Sequence, residues 1–312
     1  GQGALAALQH LAVSNMDKPV GSVIYTQLCN ERGGIEADVT ITRLAPDHFY
    51  IITGAGFGVH DGDWIRRNLP PDGSVVLVEV TSGWAVINLC GPKARDVLQA
   101  ASDDDVSNEA FPFATMQRLT IGAALLRAIR IGYVGELGWE LHVPTEFAQH
   151  VYDLLWDAGR PFGIRDIGYR AIDTLRMEKA YLYWSADITP DYTPIEAGLA
   201  GRVHLKSKGD FLGRSILQRQ KQDGTDRKLC CFVSDADLPL FGGETILADG
   251  EVVSLATSAG YGTSVEKTII LGYLSGALAD REDFELEALG ELHKIRRVTA
   301  PLYDPDNARL KA

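Results

Sequence analysis

Past Arg227 the chain carries almost no 3.6-residue pattern. Short runs such as 228–233, 251–256 and 268–274 are separated by glycine and aspartate turns. Many short strands in succession, with no helices between them, close most simply into a small β-barrel. Ahead of that point strands and helices are mixed, but without the steady strand–helix–strand rhythm of a parallel sheet. An opening amphipathic helix at 3–13 is followed by strands at 22–28, 37–44 and 49–53, with a turn at 30–34, and then by a helix at 62–69. The same order repeats, with strands at 74–79 and 85–89, a helix at 92–100, strands at 117–119, 125–131 and 139–143, and two covering helices at 145–158 and 166–180. Such a pattern predicts an α+β fold of antiparallel sheets, each covered on one face by helices. The expected division is 1–225 for this part and 226–312 for the barrel.

A chain of 312 residues with 46% hydrophobic and 23% charged residues buries a large core. Its formal charge of -12 opposes nucleic-acid and anionic-membrane partners, which require a concentrated positive field. No apolar run is long enough to span a bilayer and no signal-peptide pattern is present, so the cytosol, or an organelle matrix after processing, is the expected location. The chain starts at Gly1 rather than Met, with nothing before its first helix, and reads as a fragment. Four cysteines are too few for a disulfide scaffold, and adjacent Cys230 and Cys231 would point to opposite faces of one strand.

Several chemical motifs fail on their details. The glycines at Gly54, Gly56 and Gly58 follow a strand, but Val59 stands near where a dinucleotide fingerprint needs its third glycine, and no parallel unit surrounds them. A loop fits better, and any flavin is held elsewhere. Hydrolase elbows, zinc-protease helices and phosphate loops are missing from the sequence, and the seven histidines lack metal spacing. Asp103, Asp104 and Asp105 lack the spacing and glycine of a calcium loop and read as a solvated turn.

The stretch 127–144, RAIRIGYVGELGWELHVP, is the most informative: two strands meeting across a glycine-studded turn. In the return strand Trp139, Leu141 and Val143 share one face, and Glu140 and His142 the other. Tyr133, just before the turn, can approach that second face. A fixed carboxylate beside an aromatic ring suits a planar heterocycle with adjacent N–H donors, because its two oxygens accept paired hydrogen bonds while the rings pack. From spacing alone a solvated strand glutamate is the more ordinary reading.

The run Gly132-Tyr133-Val134-Gly135-Glu136-Leu137-Gly138-Trp139-Glu140 resembles a signature of the glycine-cleavage T-protein superfamily, especially its members fused to sarcosine and dimethylglycine dehydrogenases. The resemblance continues through 168–179, through Tyr183, Trp184 and Asp187, through 193–199 and 211–214, and into the barrel at 260–262 and 301–305. It implies a fold that holds tetrahydrofolate in a central opening. Glu140 then corresponds to the carboxylate gripping the pterin, Tyr133 to an aromatic neighbour of the folate, and Asp38, in a strand-turn-strand with Tyr25, to the aspartate governing catalysis. On residues alone Asp38 would read as a strand-start aspartate capping a turn. An arginine of the family is replaced by Ile172, leaving Arg170, Arg176 or Lys206 to meet the rest of the folate.

The resemblance further implies a flavoprotein in which FAD, on an upstream or partner domain, oxidises an N-methylated amine such as sarcosine or dimethylglycine. The one-carbon unit then meets tetrahydrofolate in this chain to form 5,10-methylenetetrahydrofolate. A stand-alone aminomethyltransferase or demethylase is the alternative. A folate-binding assembly factor is a third, opposed by Asp210, which stands where that branch carries a cysteine.

Overall fold

Alternation along β2 (Ile35–Ala45) decides the layout of the first half. Ile35, Ala37, Val39 and Ile41 are buried, whereas Glu36, Asp38 and Thr40 on the other face are only half-buried. In the computed structural model, which describes residues 1–278 and 280–312, β2 pairs antiparallel with β1 (Val23–Cys29) and β3 (His48–Ile52) in the order β1-β2-β3. The apolar face is covered by α1 (Ala4–Leu11) and α2 (Gly58–Arg67), which supply Leu8, Leu11 and Ile65 to the same cluster as Leu28, Val39 and Ile41. Burying each such side chain stabilises the fold by about 1.5–3 kcal/mol, which is what holds a helix with no capping side chain in place.

The second sheet repeats the logic. Strands β4 (Trp84–Cys90), β5 (Met116–Ile121), β6 (Ala124–Ile129) and β7 (Gly138–Pro144) lie in the order β4-β7-β6-β5. Trp139, Leu141 and Val143 face a core with Val97 and Leu98 of α3 (Ala94–Ala101) and Val151 and Leu155 of α4 (Ala148–Gly159). Glu140 and His142 take the opposite face, as alternation requires. The two sheets meet where the Val23 amide donates to the Ala114 carbonyl at 2.9 Å and the Met116 amide to Gly21 at 2.8 Å. A second tie joins the open faces, with the Tyr50 hydroxyl 3.1 Å from His142 Nδ1.

Two expectations need correction. The run 74–79 alternates like a strand, yet it lies extended and unpaired, with Val76 and Val78 exposed; valine-rich alternation supplies propensity but not a ladder partner. The second covering helix, α5, runs Tyr169–Glu178 rather than from 166, because Gly168 is extended at its N-cap.

After α6 (Arg214–Asp223) come β8 (Arg227–Ser234), β9 (Thr245–Ala248), β10 (Glu251–Gly262), β11 (Lys267–Ser275), β12 (Asp283–Ala288) and β13 (Glu291–Val298). They close a barrel in the order β10-β11-β8-β13-β12-β9, the small β-barrel that the sequence rhythm predicts. Cys230 points into it with Phe232, Ile270 and Phe284, while Cys231 points out with Ile269 and Leu271 to pack on Met177, Leu182 and Leu217. Barrel and first half therefore share one apolar seam.

Gly213, at the N-cap of α6, sits at φ +79°, and a Cβ there would come within 2.7 Å of the Asn30 carbonyl and 2.8 Å of Gly33 Cα. Gly213→Ala is expected to cost about 2 kcal/mol or more, from left-handed strain together with a forced shift of the 30–34 turn. Urea unfolding would register it as a lower midpoint at an unchanged slope.

Candidate functional site

Residues directly opposite in antiparallel strands project to the same side. Register therefore groups Gln27 with Asp38, Tyr25 with Thr40, and Thr42 with Tyr50 on the open face of the first sheet. On the second sheet it groups Asn88 with Glu140, and Arg127 with His142. Because Tyr50 and His142 meet, these two polar faces look toward one another, with Asp38 on one wall and Glu140 on the other.

Asp38 receives a hydrogen bond from Gln27 Nε2 at 2.8 Å. Burial pushes its carboxyl up to about 6, against the opposing pull of the bonds from Gln27 and Tyr25 and of the Arg202 charge. The same confinement raises the Tyr25 phenol well above its ordinary value, and the Arg202 guanidinium lies 5.4 Å from the Tyr25 ring centre. Glu140 retains 24% of its side-chain exposure, and its Oε2 lies 3.6 Å from His142 Nε2. One carboxyl is thus held in a confined, acid-weakening position, while the other is open to a ligand.

A third wall comes from the 181–188 segment and α5. Tyr133 donates to the Leu182 carbonyl at 2.7 Å and stacks on Tyr181, ring centres 6.0 Å apart and 18° from parallel. Burial raises the Tyr133 phenol, and among the charges that act on it are Arg176, Asp187 and Asp38. The structure thus groups Tyr133 with Tyr25 and Asp38.

Arg176 is enclosed, at 4% exposure, with every guanidinium nitrogen bonded to protein: Nε to Asp173 at 2.8 Å, Nη1 to Asp187 at 3.0 Å and to the Tyr181 carbonyl at 3.2 Å, and Nη2 to Ser258 at 2.9 Å. It holds this wall to the barrel rather than reaching toward an acidic ligand, because four of its five N–H donors are already bonded within the protein and the group is buried.

Sequence reasoning missed Gln27, Arg202, Tyr50 and Tyr181. Gln27 was within reach, being two residues beyond Tyr25 on an alternating strand. Arg202 was not, since a short 3-10 turn at Ala200–Arg202 brings it to β1 through the tertiary fold alone. A cleft of about 490 Å³ lies between the barrel and the third wall, lined by Tyr181 and Leu182 together with Lys179, Lys228 and Arg297. Neither Asp38 nor Glu140 borders it, so size does not mark the polar site.

A carboxyl whose folded pKa lies above its ordinary value favours folding in its neutral form, an advantage fully present below about pH 4 and lost as pH rises through about 6. Asp38→Asn should therefore be more stable than the parent at pH 8 by ~1–3 kcal/mol, with the gain shrinking toward pH 5, when urea unfolding is run at both.

Comparison with known proteins bears on the whole chain. A family model described as the GCVT N-terminal domain matches residues 1–207, and one described as the glycine cleavage T-protein C-terminal barrel domain matches residues 227–304. Mitochondrial sarcosine dehydrogenase from Homo sapiens is 38% identical over 333 residues, covering 100% of this chain but 36% of that protein. The chain thus spans little more than a third of that relative's length. An aminomethyltransferase from Geobacillus sp. (strain WCH70) is 30% identical, covering 97% of this chain and 83% of that one. The solved structure of the glycine cleavage system aminomethyltransferase T from Bartonella henselae superposes with a TM-score of 0.85 at 25% identity, covering 98% of this chain and 82% of the other. With both family models, the relatives and the fold in agreement, the chain belongs to the glycine-cleavage T-protein (aminomethyltransferase) family.

Proposed function

We propose that the two open sheet faces hold tetrahydrofolate, and that the chain serves as its one-carbon-accepting site in a sarcosine or dimethylglycine dehydrogenase-like flavoprotein. The observation that carries this reading is the pair of unlike carboxyls on facing walls, one confined and one ligand-accessible. Glu140 would accept paired N–H bonds from the pterin ring, in the geometry that makes carboxylate recognition strong. Tyr25 and the Tyr133–Tyr181 stack would line the folate's other side, where flat rings bury large area at little conformational cost. Arg176 enters only as the support of that wall.

Tetrahydrofolate would supply the nucleophilic nitrogens that take up a carbon already at the formaldehyde oxidation level, giving 5,10-methylenetetrahydrofolate with release of the demethylated amine, or of water where the carbon arrives as formaldehyde. The chain's own task is then orientation and proton management. Asp38, with its acidity moved to about 6, is ionised near neutrality and close enough to its pKa to take the proton released at N10 or N5 and pass it on. Walls that exclude bulk water keep a reactive carbon from escaping. Oxidation of the N-methylated amine to an iminium belongs to FAD on an upstream or partner domain: Gly54, Gly56 and Gly58 follow an antiparallel strand, so this chain has no flavin-binding strand–turn–helix there. Aminomethyl transfer without a flavin partner is the second reading, favoured by the 83% coverage of the Geobacillus aminomethyltransferase. A flavin-binding region encoded in the same gene would exclude it.

Anaerobic calorimetric titration of tetrahydrofolate should show binding by the parent, a tenfold or greater weakening in Glu140→Gln from loss of a charge-assisted pair, and near-parental affinity in Asp38→Ala. Methylene transfer in Asp38→Ala should fall by roughly 10²–10⁴-fold, the usual loss when a proton-transfer group is removed. Absence of binding by the parent, or a Glu140→Gln variant that binds as the parent does, would overturn the folate reading.

A further inference from the structure

His142 is 1% exposed, yet its Nε2 has no hydrogen-bond partner within the protein. Leaving a buried polar atom unpaired costs free energy, so what such an atom faces is informative. Here it faces Glu140, with Oε2 at 3.6 Å, slightly beyond hydrogen-bond reach.

The other ring nitrogen has its partner on the facing sheet. Nδ1 lies 3.1 Å from the Tyr50 hydroxyl. The Arg127 guanidinium packs over the Tyr50 ring, 4.7 Å from its centre, and over Trp84 at 4.2 Å. A carboxylate offers only acceptors, so on the nitrogen that faces Glu140 a proton is favoured over a lone pair, and the Tyr50 hydroxyl then donates to Nδ1. Nδ1 is then the acceptor, and the ring carries its proton on Nε2, directed at Glu140. Tyr50 belongs to the wall that carries Asp38, and His142 and Arg127 to the wall that carries Glu140. The chain Arg127–Tyr50–His142–Glu140 therefore crosses the cleft.

Resting on the folate reading of Glu140, we infer that His142 is a positioning residue: its Nε2–H closes on Glu140 Oε2 when a ligand engages the carboxylate, fixing the plane in which the two oxygens meet the ligand's N–H pair. Tyr50, by donating to Nδ1, supports the tautomer that makes this possible. The second sheet by itself would hold Glu140 at the right height but leave its carboxylate free to rotate, and the His142 contact removes that freedom.

Anaerobic titration of tetrahydrofolate into the parent, Glu140→Gln, His142→Asn, His142→Gln, Tyr50→Phe and the Glu140→Gln/His142→Asn double variant tests the assignment. Asparagine retains a group near Nδ1 but loses the one at Nε2, whereas glutamine places an N–H near Nε2. The expected result is an affinity about tenfold weaker for His142→Asn, largely restored in His142→Gln, weakened in Tyr50→Phe, and no weaker in the double variant than in Glu140→Gln alone. Rescue by glutamine and non-additivity with Glu140→Gln are outcomes that a merely packed histidine would not give. If Glu140→Gln loses affinity while His142→Asn keeps it, or if the two losses simply add, the positioning role is overturned and the folate reading stands. If the parent gives no binding heat, or Glu140→Gln binds as the parent does, both fall together.

Discussion

The buried Asp187–Arg176 pair is the contact on which the arrangement of the three walls depends. Asp187 is fully buried, and its carboxylate accepts from Arg176, the Tyr183 amide, Ser258 and Thr257, while its carbonyl accepts from Tyr273. Helix α5, the 183–188 segment and two barrel strands are thereby tied to one carboxylate. An ion pair removed from water is stabilising only when its remaining hydrogen-bonding capacity is met, and here Asp187 accepts four bonds and Arg176 donates four of its five. Such a junction contributes less net energy than its bond count suggests, but it fixes orientation, since any slip of the barrel against α5 would leave a buried charge unpaired.

That fixed orientation matters because the chemistry proposed for this cleft is mainly placement. Each sheet uses its apolar face to bind helices and leaves its polar face for the opening. The helices supply the burial and the strands supply the register. Asp38 shows the tension this creates: its surroundings oppose ionisation, while Gln27 and Arg202 partly offset the opposition. The result is a carboxyl near the pH at which proton transfer is efficient in both directions. Stability and usefulness pull opposite ways at this one residue.

Much of this was legible in the sequence. Short runs separated by glycine and aspartate turns, without a helical period, disclosed the barrel, alternation put Trp139 and Glu140 on opposite faces of one strand, and the motif at 132–140 pointed to the family. Residues 74–79 misled because alternation reports propensity, not the presence of a partner strand. Arg202 could not be read because its place beside Tyr25 depends on contacts far apart in sequence. Arg176 was read as ligand-facing because a basic residue in a folate motif suggests an anion, whereas the fold closes four protein acceptors around it. His142 was visible as a neighbour of Glu140, but its unpaired nitrogen emerges only when β3 is brought against β7.

The closed barrel has a consequence for how the chain meets other chains. A closed ring of strands offers no free row of amides and carbonyls, so the C-terminal part cannot be extended by another strand. Among the edges of the open sheets, β1 and β5 are tied by the Val23–Ala114 and Met116–Gly21 bonds and by the Ala12–Leu28 bridge, which leaves β3 and β4, and the exposed valines Val76 and Val78 lie just ahead of β4. Edge-to-edge addition of a strand is therefore open to the first half of the chain and closed to the barrel.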